Sequence, residues 1–272
     1  MVNVRPPSVA GSFYPADADV LRGVVREYLD EARVPLAPGD PWPKALIVPH
    51  AGYAYSAPVA ANAFVLLEPS RGVVQRVVLL GPSHHVPFDG LAVPSNMAFE
   101  TPLGRVQIDE SARHLLLALP FAEILDAAHH WEHSLEVQLP FLQEVLGAFA
   151  VLPIAIGRAS PQQVAEALET LWGGDETVVV ISSDLSHYYD YDTAKRMDAA
   201  TAGAIQALEP ERVEREGACG RIGVQGLLGA ARRHSLVAST LDLRSSGDTV
   251  GGRDEVVGYG AWAFTVSKNG SP

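Results

Sequence analysis

Seven of the nine histidines in this 272-residue chain occupy four places: His50; His84 and His85; His129, His130 and His133; and His187. Three of these places follow short apolar runs, at Pro49-His50-Ala51-Gly52, Gly81-Pro82-Ser83-His84-His85 and Ser182-Ser183-Asp184-Leu185-Ser186-His187. Near neutral pH imidazole is largely uncharged, which makes it the commonest protein metal ligand. A lone histidine after a strand also reads as a half-buried residue satisfied by backbone groups. Three strand ends that each carry one point to a shared metal site. Cys219, the only cysteine, lies in Gly217-Ala218-Cys219-Gly220-Arg221, just ahead of a helical pattern. A helix N-terminus lowers a thiol pKa, and the thiolate is both metal ligand and nucleophile. Its alternative reading is a small buried hydrophobe.

The stretch His129-His130-Trp131-Glu132-His133-Ser134-Leu135-Glu136 offers a rival arrangement. His129 and His133 stand four apart and would clamp zinc from one helix face. The HExxH order, with a general-base Glu directly after the first His, is absent. His133 and Glu136 share a helix face and are read as partners behind the ligands, or as a solvated helix start. No GxSxG elbow and no GxxxxGK[ST] loop occurs, which removes the usual serine-hydrolase and P-loop chemistries. Gly220, Gly223 and Gly226 do not match GxGxxG and read as close helix packing.

The elements that must position these residues follow from periodicity. Helical spacing covers 17–33, 57–67, 111–119, 133–146, 161–172, 192–208 and 222–234. Apolar runs predict strands at 45–48, 77–80, 91–93, 106–108, 150–156, 177–181, 236–243 and 255–266. A Pro-rich loop spans 34–43, and 99–104 reads as a turn region. Buried strands alternating with helices predict an α/β sandwich, one domain over 1–272, with a largely parallel or mixed central sheet flanked by helices. In such sheets ligands sit beyond the carboxyl ends of the strands, which gathers His50, His84, His85, Asp184 and His187 on one rim.

Composition narrows the function classes. With 20 Lys+Arg against 32 Asp+Glu the net charge is −12, so no basic excess serves nucleic-acid binding. No stretch reaches the roughly 18 apolar residues of a membrane span. No secretory signal is recognisable, and a single cysteine makes no demand for an oxidising compartment, so a cytoplasmic location is expected.

Several blocks, in order, resemble the Memo family, whose prokaryotic members are often labelled AmmeMemoRadiSam system protein B. They are Ala10-Gly11-Ser12-Phe13-Tyr14-Pro15, Pro49-His50-Ala51-Gly52-Tyr53, Gly81-Pro82-Ser83-His84-His85, Glu132-His133-Ser134-Leu135-Glu136, Ser182-Ser183-Asp184-Leu185-Ser186-His187 and Cys219-Gly220. The family is similar in fold to class III extradiol ring-cleaving dioxygenases, which carry non-haem Fe(II). The resemblance implies metal ligands at His50, His84 and Cys219 and an acid/base role for His187 with Asp184 beside it; around such a site His85, His133 and Glu136 are read as supporting partners. It departs from the dioxygenase triad of two His and one Glu, since a thiol stands third. A soft thiolate moves metal preference toward Cu(I), zinc or a differently tuned iron, and is itself oxidisable. Three functions follow as expectations: an Fe(II)- or copper-dependent redox enzyme acting on a small molecule, a non-catalytic adaptor whose pocket takes a peptide, and a zinc metallohydrolase. The bound metal is therefore expected to be Fe(II) first, with copper or zinc as alternatives. The family label also implies a functional link to a radical-SAM protein and an AMMECR-like protein.

Overall fold

Strands form where the sequence is continuously apolar or alternates. The computed structural model describes residues 3–32 and 41–266; most of the expected 34–43 loop lies outside them. The strands are β1 Val4–Arg5, β2 Ala45–Val48, β3 Arg76–Pro82, β4 Leu91–Val93, β5 Ala98–Thr101, β6 Gly104–Ile108, β7 Ala122–Ile124, β8 Ala150–Ile156, β9 Thr177–Ser182, β10 His187–Tyr189, β11 Leu236–Ser245 and β12 Val256–Val266. The helices are α1 Ala18–Glu31, α2 Tyr53–Phe64, α3 Glu110–Leu117, α4 Ala127–His130, α5 His133–Glu136, α6 Leu139–Leu146, α7 Pro161–Leu171, α8 Tyr191–Gln206 and α9 Arg221–Arg233.

One mixed sheet runs β1-β5-β6-β8-β3-β9-β2-β12-β10, with β11 beside β12 and β4 joining β8 to β7. From β6 to β2 every neighbouring pair is parallel, and β12 closes antiparallel on β2. Helices cover both faces, as a parallel sheet requires. Alternate residues of the central strands feed two cores. Leu46, Val48, Val77, Leu79, Val178 and Val180 pack with α1, α2 and α6. Ala45, Ile47, Val78, Leu80, Val179 and Ile181 pack with α3, α7, α8 and α9. Each fully buried Val, Leu or Ile among these contributes about 1.5–3 kcal/mol. The glycines of α9 serve this packing. A Cβ at Gly226 would lie 2.4 Å from Val164 Cγ1, and one at Gly223 would lie 3.0 Å from Ile156 Cδ1.

Three expectations are corrected. The single helix over 133–146 is broken into α5 and α6. Pro140 has no N–H to give the Glu136 carbonyl and its ring crowds that group, so the helix stops and restarts. The 99–104 turn region contains most of β5, which pairs antiparallel with β6. His187 does not simply trail a strand end but opens β10, paired with β12 through an irregular register.

Candidate metal centre

β9 lies between β3 and β2 in the sheet. His50, the His84–His85 pair and Asp184 therefore emerge from adjacent parallel strands at one rim, and α5 brings His133 to the same place. One ligand atom from each of His50, His84 and His133 lies within 4.8 Å of the others. The rings are close: His84 stacks on His133 with centroids 4.6 Å apart, and His50 meets both edge-on at 5.2 and 5.5 Å.

Hydrogen bonds fix the tautomers. The Ser182 hydroxyl donates to the Ser134 carbonyl at 2.6 Å and accepts from Gln138 Nε2 at 2.9 Å. Gln138 Nε2 also donates to the Pro49 carbonyl, which sets the amide's orientation. With its proton committed, Ser182 Oγ accepts from His50 Nδ1 at 2.9 Å, so His50 carries its lone pair on Nε2, the atom that faces the Cys219 sulfur. His84 Nδ1 donates to Glu132 Oε1 at 2.8 Å, and its backbone N–H donates to Oε2 at 2.7 Å. That carboxylate–imidazole pair holds the ring orientation and leaves His84 Nε2 open, the usual support of a metal-ligating histidine. The donor chemistry thus fits a bound metal ion.

Burial and charge act together here. Burial, then the neighbouring His84, push His50 down to about 3. Burial, then His50, push His133 down to about 4. Both imidazoles therefore stay neutral at neutral pH, as ligands must be. Burial opposes ionisation of Glu132, but the hydrogen bonds and charge of His84 outweigh it and hold the carboxyl at about 2.

Cys219 joins this group from the loop ahead of α9. Its Sγ is 3.3 Å from His50 Nε2 and accepts from the Asp184 backbone N–H at 3.3 Å. Burial, then the Asp184 carboxylate, push the thiol up to about 12; a coordinated metal reverses such a shift by deprotonating the thiol outright. Asp184 accepts from the His50 backbone N–H at 2.6 Å, and its other oxygen is 3.9 Å from His50 Nε2. Burial raises the Asp184 pKa. His187 is half-buried and donates Nδ1–H to the Leu185 carbonyl at 2.8 Å, leaving Nε2 as the nitrogen with the lone pair and without a hydrogen bond among the described residues. A cavity of about 310 Å³ opens on Cys219, walled by Pro82, Val86, Phe88, Ile156 and Ile222.

The remaining expected residues are placed differently. His85 is exposed, its ring centroid 6.2 Å from that of His133. His133, expected in a supporting role, stands within the three-histidine cluster itself. Glu136 does not support the histidines through any hydrogen bond among the described residues. Its carboxylate accepts instead from Arg5, Ser8, Val9 and Tyr14. His129, the rival zinc ligand, is buried with Nε2 donating to the Ala92 carbonyl at 3.0 Å. Glu132 escaped the reading of the sequence. The signal was its place just ahead of a short helix, where a carboxylate caps N–H groups; it accepts from Ser134 N–H at 2.9 Å.

Fold and site together define an α/β protein with a histidine-rich candidate metal centre at the carboxyl ends of parallel strands. The family described as Memo-like protein matches residues 5–263. The chain belongs to the Memo family. It is 37% identical to a MEMO1 family protein of Ignicoccus hospitalis, covering 97% of this chain and 99% of that one. It is 35% identical to a MEMO1 family protein of Aquifex aeolicus, covering 95% and 98% respectively. The crystal structure of uncharacterized protein JW3007 from Escherichia coli K12 shares the fold, with a TM-score of 0.51, 12% identity, and coverage of 79% of this chain and 98% of that one. Among the described residues no helix is long and apolar enough to cross a membrane.

Proposed function

We propose that this Memo-family chain is a metal-dependent redox protein acting on a small organic molecule, with iron(II) the first candidate and copper the alternative. The observation that carries the reading is the convergence of three histidine ligand atoms within 4.8 Å, with a thiol 3.3 Å from one of them. His50, His84 and either His133 or Cys219 would hold the ion. A redox metal held there would supply electron exchange with oxygen and polarise a bound substrate. The chain's own groups serve the substrate. His187 Nε2 is free to take or give a proton. Asp184 fixes the His50 backbone and the Cys219 sulfur. The cavity beside Cys219 lies at the small end of ligand sites, which suits a compact molecule better than a peptide.

Elemental analysis after anaerobic purification tests the proposal. Near-stoichiometric iron or copper is expected in the wild type, with loss in His50→Ala. His187→Ala is expected to keep the metal and lose oxygen-dependent turnover. No metal in the wild type under reducing, metal-replete conditions would overturn the reading and leave a binding pocket. Zinc alone, with no dependence on oxygen, would turn it toward a hydrolase.

A further inference from the structure

We infer that the amino-terminal segment Arg5–Tyr14 is a positioning element for the histidine cluster, with Arg5 as its key residue. Arg5 is 3% exposed and sits 131 positions from its ion-pair partner Glu136, which is fully buried. Its guanidinium makes three diverging bonds into one short stretch of chain. Nε donates to the His129 carbonyl at 2.6 Å, NH2 to the Glu132 carbonyl at 2.9 Å and NH1 to Glu136 Oε2 at 2.6 Å. Those bonds pin residues 129–136 at both ends and at the residue between them that matters most. Glu132, held by its backbone, is the residue whose carboxylate grips His84 by ring and main chain. His133 follows it directly.

The segment reaches the cluster a second time. The Phe13 ring packs on His133 with centroids 4.8 Å apart, and the Phe13 carbonyl accepts from the Tyr53 N–H at 2.8 Å. Glu136 ties the two contacts together, because it accepts from the backbone of Ser8 and Val9 and from the Tyr14 hydroxyl at 2.6 Å. Arg5, Glu136 and Phe13 thus act through Glu132 and His133 and touch no ligand position of His50. A guanidinium is the side chain this geometry needs. A lysine ammonium keeps the charge opposite Glu136 but has no rigid fork to span two carbonyls as well. Outer partners of metal ligands typically set metal affinity by 10–100-fold.

This inference rests on the metal-binding reading, so its test has one arm that does not. Arg5→Lys keeps the buried pair. Arg5→Met/Glu136→Gln removes both charges together, which guards against an unfolded variant. Leu168→Ala, in the core on the opposite face of the sheet, is the control for lost stability. Titration with Co(II) as probe is expected to show affinity lowered about 10-fold or more in both Arg5 variants and unchanged in Leu168→Ala. In the metal-free proteins, imidazole 15N spectra are expected to show the His84 Nδ1–H bonded to Glu132 in the wild type and in Leu168→Ala, and that bond lost in the Arg5 variants. Arg5 variants with wild-type Co(II) affinity and wild-type imidazole spectra would overturn the positioning role. A wild type that takes no Co(II) would sink the metal reading alone, and the imidazole comparison would then decide the role of Arg5.

Discussion

Around the candidate centre, burial keeps three imidazoles neutral, and only one of them serves no ligand position. His129 is held by burial at about 4, with Nε2 donating to the Ala92 carbonyl and Nδ1 lacking a hydrogen-bond partner among the described residues. A proton on Nδ1 would be stranded there, close to the Arg5 charge. In the unfolded chain the same ring titrates near 6.5. Below that pH the unfolded state binds a proton that the folded state refuses, so stability falls as pH drops from about 6.5 to about 4 and then levels. At about 1.4 kcal/mol per pKa unit, His129 alone removes about 2 kcal/mol between pH 7 and pH 5. Urea unfolding in the presence of a chelator checks this. His129→Gln is expected to narrow the gap between the two pH values by about that amount, and a gap equal to the wild type's would refute the assignment.

At the scale of elements, the rim is assembled by a tight fit between β3 and α5. Gly81, two residues before Ser83, is the contact point: a Cβ there would lie 2.6 Å from Ser134 Oγ and 3.0 Å from Leu135 Cδ2. Gly81→Ala must therefore push α5 outward and carry His133 with it. Overpacking of this kind costs about 1–3 kcal/mol. The expected result is a protein destabilised by that amount and weakened for Zn(II). Adding Ser134→Gly removes the collision and is expected to restore part of both, a coupling that a double-mutant cycle of urea unfolding and Zn(II) titration measures. Independent effects would show that the contact does not set α5. The strands that make the rim were legible because 45–48 in β2, 77–80 in β3 and 178–181 in β9 are unbroken apolar runs, and a loop with His or Asp follows each of them. The supports were not. Arg5 meets Glu136 across 131 positions, and no local periodicity records a pairing of that span. The indirect route by which Glu136 meets the cluster was hidden for a related reason. Three residues from His133 on a regular helix it would share that face, but α5 lasts only four residues and its last carboxylate turns to Arg5.

For the whole molecule, the cluster joins parts of the chain that folding alone brings together: the ends of β2 and β3 and the start of α5. The unfolded chain offers no such grouping, so an ion held by His50, His84 and His133 binds the native state preferentially and stabilises it by mass action. At a free concentration 100 times its dissociation constant the gain is about 2.7 kcal/mol, which for a domain of this size raises Tm by roughly 5–10 °C. The net charge of −12 supplies a competing effect, since any divalent cation can screen repulsion among surface carboxylates. Magnesium separates the two. It screens as zinc does but disfavours a site built from imidazole and thiol. Zinc is therefore expected to raise Tm in the wild type by several degrees more than an equal concentration of magnesium, reversibly with chelator. In His50→Ala, zinc is expected to do no more than magnesium. An equal zinc shift in His50→Ala would place the ion on the acidic surface and remove the thermodynamic case for the centre.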